Sequence, residues 1–340
     1  MSNVVINIRA NGYDQQPIVT DEVTWKTQRK GAPGELVFTV IKDDKLSFPE
    51  GSEVKLEVDG KGVFHGFVFT KSRDKMQHIK VVAYDQLRYL KNKDTLVYAD
   101  WTCGKLLSYI ATAFKLNIEK DSKGNMKGIA DTGYKVGTTE DPRVEENSTL
   151  FDMILNNLDE TVYNTGKLFV LYDDCGYLRL KNADDMKVEY LISDEVGENF
   201  DYQSSLDGDV YNKVKLYVED SETGKRDTYT AQDNSKISQW GVLQYHAKVN
   251  NEDEVVATTQ AILELYNTPK RTLTVKGLKG DLNVRAGCLV PVHLHLGDAV
   301  QNVDSFLMVD SVTHKWSKGH HSMDITLIGR VNSGKGEFTA

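Results

Sequence analysis

Cysteine is scarce in this 340-residue chain and forms no pattern. Cys103, Cys175 and Cys288 are odd in number, far apart, and include no Cys-x-x-Cys pair. That excludes a disulfide framework and predicts buried free thiols. Long hydrophobic runs are also missing: no stretch approaches the ~20 apolar residues a spanning helix needs, so no membrane insertion is expected. The opening Met1-Ser-Asn-Val-Val-Ile-Asn-Ile-Arg9 has neither a basic leader nor a continuous apolar segment, and it reads as a first strand rather than a signal peptide. Synthesis and folding in a cytoplasm are therefore expected. Excess positive charge is absent too. The formal net charge of −9 has the wrong sign for a protein that binds nucleic acid by neutralising phosphates. The densest basic cluster, Arg88 to Lys93, is interrupted by Tyr89, Leu90 and Asn92 and is expected on a solvated strand edge.

What remains is an ordinary globular composition, 40% hydrophobic and 27% charged, in a chain long enough for more than one core. Residues 1 to about 95 carry strand-like runs at Val4–Ile8, Val19–Trp25, Leu36–Ile41, Val54–Val58, Val63–Thr70 and Ile79–Ala83. Turn residues separate them: Asn11-Gly12, Ala32-Pro33-Gly34, Phe48-Pro49-Glu50-Gly51 and Asp59-Gly60. Short strands at close spacing predict a small barrel or sandwich.

After Tyr98 the period changes. Asp100 or Thr102 caps a helix whose Leu106, Leu107, Ile110 and Phe114 share one face, and a Gly- and Lys-rich loop follows from about Asp121 to Gly137. Ser148 or Thr149 opens a second helix with the stripe Leu150, Ile154, Leu158 and Val162. A hairpin turning at Asp173-Asp-Cys-Gly176 closes the segment, which we bound at 96–202.

The third part starts with the alternating strand Tyr211–Val218, returned by the turn at Asp220 to Lys225. One helix interrupts it at about 252–267: Asn251-Glu-Asp-Glu254 has capping-box spacing, Val255, Thr259, Ile262 and Tyr266 follow on one face, and Pro269 marks the stop. Strands resume at Leu273 and run to about Val331, before a frayed tail. The predicted fold is mainly β with an α+β insert. Two β-barrel-like domains, 1–95 and 203–335, flank a helix-containing middle domain at 96–202, with 336–340 as tail.

The two β-modules share an order of elements. Gly51-Ser-Glu-Val-Lys-Leu, Phe64-His-Gly-Phe-Val-Phe and His78-Ile-Lys-Val-Val-Ala-Tyr-Asp85 answer to Gly287-Cys-Leu-Val-Pro-Val, Phe306-Leu-Met-Val-Asp-Ser-Val and His321-Ser-Met-Asp-Ile-Thr-Leu-Ile. Each time a glycine corner leads into an alternating strand, then a second apolar strand, then a third. Such a pattern suits a symmetry adaptor better than a catalyst.

Four segments carry a resemblance to a known family. They are Ala32-Pro-Gly-Glu-Leu-Val-Phe-Thr-Val with Phe48-Pro-Glu-Gly51; Tyr84-Asp-Gln-Leu-Arg-Tyr-Leu-Lys-Asn-Lys-Asp94; Leu150-Phe-Asp-Met-Ile-Leu with Asn164-Thr-Gly-Lys-Leu-Phe-Val-Leu-Tyr-Asp173; and Trp240-Gly-Val-Leu-Gln-Tyr with Thr272-Leu-Thr-Val-Lys-Gly and Gly319-His-His-Ser-Met. In this order they span nearly the whole chain, which resembles the XkdQ-type baseplate hub proteins of contractile phage tails and phage-tail-like bacteriocins, within the late-control-protein-D-like superfamily. Gly287-Cys288 stands where Gly-Ser is more typical. The resemblance implies a homotrimeric, pseudo-hexameric ring at the tail tip, with a sixfold tail tube protein on one face and a threefold central spike protein on the other. It also implies other baseplate proteins as neighbours, DNA or a tape measure only in transit, no cofactor, and a place in the virion or bacteriocin baseplate after assembly in the host cytoplasm. An acidic lumen does not grip passing DNA, because like charges repel.

His293 and His295 alternate on one strand and His314, His320 and His321 lie around the next hairpin, but no carboxylate or cysteine completes a metal-ligand spacing. An intersubunit surface and a polar turn explain them better. The pairs Asp173-Asp174, Asp184-Asp185, Asp194-Glu195 and Glu145-Glu146 are candidates for glycoside hydrolysis, yet adjacent residues face opposite ways and are expected in solvated turns. No Gly-x-Ser-x-Gly elbow occurs, and Gly277-Leu-Lys-Gly280 leads into a strand rather than a helix, so it offers no phosphate loop. No catalytic, cofactor or metal residue is predicted, and the chain is expected not to be an enzyme. The alternative function is a peptidoglycan-binding module of a tail tip, carried by the middle segment.

Overall fold

Alternation of apolar side chains accounts for the strands of the first third. The computed structural model describes residues 2–20, 22–196, 199–219, 223–249, 255–295 and 303–329. Strands Val4–Ala10, Val23–Gln28, Glu35–Ile41, Glu53–Val58, Lys61–Arg73 and His78–Tyr84 enclose one core, where Leu36, Phe38 and Val40 meet Val54, Leu56 and Val58. Val19 contributes only an isolated bridge to Val40, so the second expected strand begins four residues later than its apolar run.

The middle segment builds a second core on two helices. Thr102 caps the helix Cys103–Ala113 by accepting from the Lys105 amide at 3.3 Å, while Asp100 takes a left-handed φ of 55° ahead of it. Thr149 caps Leu150–Thr165 by accepting from the Asp152 amide at 3.0 Å. Their apolar faces bury Leu106, Leu107, Ile110, Leu150, Ile154 and Leu158 against the hairpin Phe169–Asp173 and Leu178–Asn182.

The last third assembles a third core from Lys270–Lys279, Leu289–Leu294, Val303–Ser317 and His320–Ile328, including Leu273, Val275, Leu307, Val309, Ile325 and Leu327. A smaller fourth core forms where the sheet of Lys213–Glu219, Arg226–Gln232 and Gln244–Lys248 meets the helix Val255–Tyr266 through Val214, Leu216, Ile262 and Leu263. The architecture is mainly β with a helix-containing insert, as the patterning predicts.

Several expectations are corrected. Among the described residues the lobes are not separate closed barrels: 13 strands form one sheet system with an open path. The cause is the 15-residue strand Val303–Ser317, whose first half pairs with Leu289–Leu294 and whose second half pairs with Val23–Gln28 from the other lobe. The Arg88–Lys93 cluster starts in a 3₁₀ turn, Gln86–Lys91, capped by Asp85, rather than on a strand edge. A further helix, Asn234–Trp240, buries none of its residues and so has no apolar stripe to betray it. The capping box at Asn251 to Glu254 and the tail at 336–340 lie outside the described residues.

Candidate assembly interface

The two glycine corners superpose bond for bond. In the first lobe the Gly51 amide donates to the Val68 carbonyl at 2.7 Å, and the Val68 amide donates to the Ser52 carbonyl at 2.9 Å. In the second, the Gly287 amide donates to Val309 at 2.7 Å and the Val309 amide donates to Cys288 at 2.9 Å. Both glycines hold positive φ, 84° and 89°, where a side chain is disfavoured. Immediately beyond each valine the pairing with the next strand slips by one residue, between Val68 and Thr70 and between Val309 and Ser311.

From this anchor the register matches across five strands. Ala83 lies opposite Val68 and Leu36, and Leu327 lies opposite Val309 and Leu273. Leu36 then faces Trp25, just as Leu273 faces Tyr202. The strand order Val23–Gln28, Glu35–Ile41, His78–Tyr84, Lys61–Arg73, Glu53–Val58 is thus reproduced by Asn199–Ser205, Lys270–Lys279, His320–Ile328, Val303–Ser317, Leu289–Leu294. Similarity that divergent sequence only suggested is explicit in the hydrogen bonds.

The junction between lobes is an antiparallel ladder from Ser311 opposite Gln28 to Trp316 opposite Val23. Its inward side is an aromatic stack: His314 lies 5.1 Å from Trp25 and 5.9 Å from Trp316 between ring centroids, and Trp316 lies 4.6 Å from His321. His314 is fully buried; its Nε2 bonds the Val284 carbonyl at 2.9 Å and its Nδ1 bonds His321 Nε2 at 3.0 Å. Burial, reinforced by the neighbouring His321, pushes its pKa down to about 3, so the imidazole is neutral.

A second junction joins both lobes to the middle segment. The Asp85 carboxylate accepts from the Gly34 and Leu87 amides at 2.8 and 3.0 Å. Asp173 accepts from Gln86 Nε2 and the Gly176 amide, both at 2.8 Å. Arg285 donates to the Asp173 carbonyl at 2.7 Å and stacks over Tyr172 at 3.8 Å. Burial lifts Asp173 to about 6. Burial and the Asp173 charge raise Asp85, and burial lowers Arg285. The buried Asp85 and Asp173 carboxylates and the half-buried Arg285 draw residues of three segments together.

The remaining candidates stay apart. His293 and His295 stand 5.5 Å apart at ring centroids, and His295 pairs with Asp194. Among the described residues no three His, Cys, Asp or Glu side chains form a metal cluster. The solvated-turn expectation fails for two carboxylates: Asp173 is 7% and Glu145 4% exposed, the latter held by Arg143 at 2.7 Å. Cys103 and Cys288 are buried, but Cys175 is half-buried. Among the described residues no helix is long and apolar enough to cross a membrane. Sequence reading missed Asp85 and Arg285; a lone charge in a strand-rich run is the only signal, and it does not reveal burial.

The chain is 27% identical over 326 residues to the phage-like element PBSX protein XkdQ of Bacillus subtilis, covering 92% of this chain and 93% of the relative. Its fold matches a tail protein from Neisseria meningitidis with a TM-score of 0.65 at 13% identity, covering 96% of each chain. It also matches the Escherichia coli c3393 protein, described as a type VI secretion component with structural similarity to the T4 tail proteins gp27 and gp5. That match has a TM-score of 0.53 at 10% identity and covers 98% of this chain and 79% of that one. A family model described as YQBQ-like matches residues 23–328, nearly the whole of both lobes and the insert between them, and the chain therefore belongs to the YQBQ-like family.

Proposed function

We propose that this chain is a structural baseplate hub of a contractile tail, working as a homotrimeric, pseudo-hexameric ring between a sixfold tail tube and a threefold spike. The observation that carries the reading is the duplicated five-strand register. A ring of three subunits, each with two equivalent lobes, presents six near-identical surfaces to a sixfold partner, while the insert, present once per subunit, keeps threefold symmetry. Function is then geometric and needs no catalyst. The fold shared with phage tail proteins and the PBSX relative support this reading. In it the partners are other copies of the chain, the tube protein, the spike protein and neighbouring baseplate proteins, with DNA or a tape measure passing through the lumen. The protein is placed in the tail baseplate of a particle assembled in the host cytoplasm.

Native mass spectrometry of the full chain tests the stoichiometry: a trimer is expected, and a monomer with no higher species at any concentration overturns it. A pull-down on purified cell walls addresses the peptidoglycan alternative, for which retention is the positive result and the hub reading expects none.

A further inference from the structure

We propose that a basic, aromatic-floored depression on the outer face of the first lobe docks an acidic segment of a partner protein, with Lys26, Arg88 and Lys91 meeting its carboxylates. The site belongs to the single chain, so it stands or falls independently of the stoichiometry of the ring.

Strand alternation builds the floor. Trp25, Leu36, Val68 and Ala83 point into the first core, so their neighbours Lys26, Glu35, Phe69 and Tyr84 point outward. Register sets these side by side: Lys26 lies opposite Glu35, and Glu35 opposite Tyr84. Phe69 meets Tyr84 edge-on at 5.4 Å between ring centroids, and both rings are half-buried. The turn Gln86–Lys91 buries Leu87 and Leu90 and carries Arg88 and Lys91 to the rim, with the Arg88 guanidinium 5.3 Å from the centre of the Phe69 ring. Together they line an open depression of about 430 Å³.

Charge identifies the occupant. Among the described residues, Lys26, Arg88 and Lys91 have no ion-pair partner. Glu35 is the one carboxylate in the lining, so three cations face a single anion. In a chain of net charge −9 that is a local reversal of sign. A charge within a Debye length of about 8 Å feels these cations before the rest of the surface. A long polyanion such as nucleic acid also meets the acidic remainder and is repelled by it. A short acidic segment avoids that penalty: its carboxylates fit the planar fork of Arg88, and an apolar side chain beside them covers Phe69 and Tyr84. The second lobe lacks the site. Asp310 stands at the place of Phe69, one residue past the anchoring valine, and it pairs with Arg29 at 3.4 Å. Docking therefore occurs once per chain.

Fluorescence anisotropy of the full-length chain tests this with a fluorescein-labelled, glutamate-rich peptide that contains phenylalanine. Saturable binding is expected, and it should vanish when glutamine replaces the glutamates of the peptide. Arg88→Glu with Lys91→Glu should weaken binding by about tenfold or more. Lys115→Glu with Lys167→Glu makes the same charge change at exposed residues outside the depression and should shift binding by less than about twofold. Lys26→Gln, which leaves the turn untouched, keeps the test open should the first double variant unfold, and it too should weaken binding. Carbodiimide coupling of the bound peptide should form amides at Lys26 or Lys91, read by mass spectrometry. No binding by the native chain, equal losses in the two double variants, or coupling confined to other lysines overturns the site. Tighter binding of a thymidine oligonucleotide of matched charge overturns the choice of partner.

Discussion

The duplicated glycine corners make a paired substitution informative. Gly51→Ala and Gly287→Ala place the same methyl on the same backbone, φ 84° and 89°, so each incurs a left-handed strain of about 1–2 kcal/mol. Their surroundings differ. A Cβ at Gly51 meets nothing within 4 Å, whereas at Gly287 it comes 2.4 Å from one methyl of Val170 and 3.0 Å from the other. Val170 is 2% exposed in the third core and has no room to retreat, so overpacking adds about 1–3 kcal/mol. Urea unfolding followed by tryptophan fluorescence should therefore give about 1–2 kcal/mol for Gly51→Ala and about 2–5 kcal/mol for Gly287→Ala. Adding Val170→Ala to Gly287→Ala should cost less than the sum of the single changes. Equal losses at the two glycines, or strict additivity in the double variant, would refute the claim that the insert packs on only one of two equivalent corners.

Other consequences concern titration and reactivity. Asp173 at about 6, against an ordinary 3.8, means the folded chain holds a proton that the unfolded chain releases. Its favourable contribution is full below about pH 3.8 and is lost as pH rises through about 6. Asp173→Asn should make the stability profile shallower over that window, leaving what the raised Asp85 contributes, and denaturant midpoints at pH 4.5 and 7 for both proteins check it. His314, held down to about 3, should show imidazole proton resonances that do not move between pH 7 and 5. Because the unfolded histidine takes up a proton near 6.5, this group's contribution is complete above that pH and is lost as pH falls toward about 3. Replacing His314 by Ala should cost about 3 kcal/mol or more, measured by the same urea titration, since it empties a ring-sized site between Trp25 and Trp316. Among the three thiols, a disulfide reagent should label Cys175 first in native protein, with Cys103 and Cys288 reacting only on unfolding.

Much of the architecture was legible in the sequence because it follows from local periodicity. Strands such as Leu36–Ile41 and helices such as Leu150–Thr165 announce themselves through spacing and caps, and Thr149 bonds as a cap should. The glycine corners were visible as a repeated order of elements. What stayed hidden depends on distant pairing. Nothing near Val303–Ser317 says that one half of that strand serves its own lobe and the other half serves the first, so local patterning predicts two β-barrel-like domains and does not reveal that one sheet runs through both. Burial of Asp173 was likewise invisible, because its partners Gln86 and Arg285 lie 87 and 112 residues away along the chain. Asn234–Trp240 escaped for the opposite reason: it is held by the Asp233 cap and buries no side chain.

Image reconstruction of the tail tip from intact particles tests the central claim most directly. The account predicts three copies of this chain on the tube axis, their six lobes about 60° apart in one layer beneath the tube, with three inserts between them. Six copies in that layer, or density for this chain only away from the axis, would contradict it.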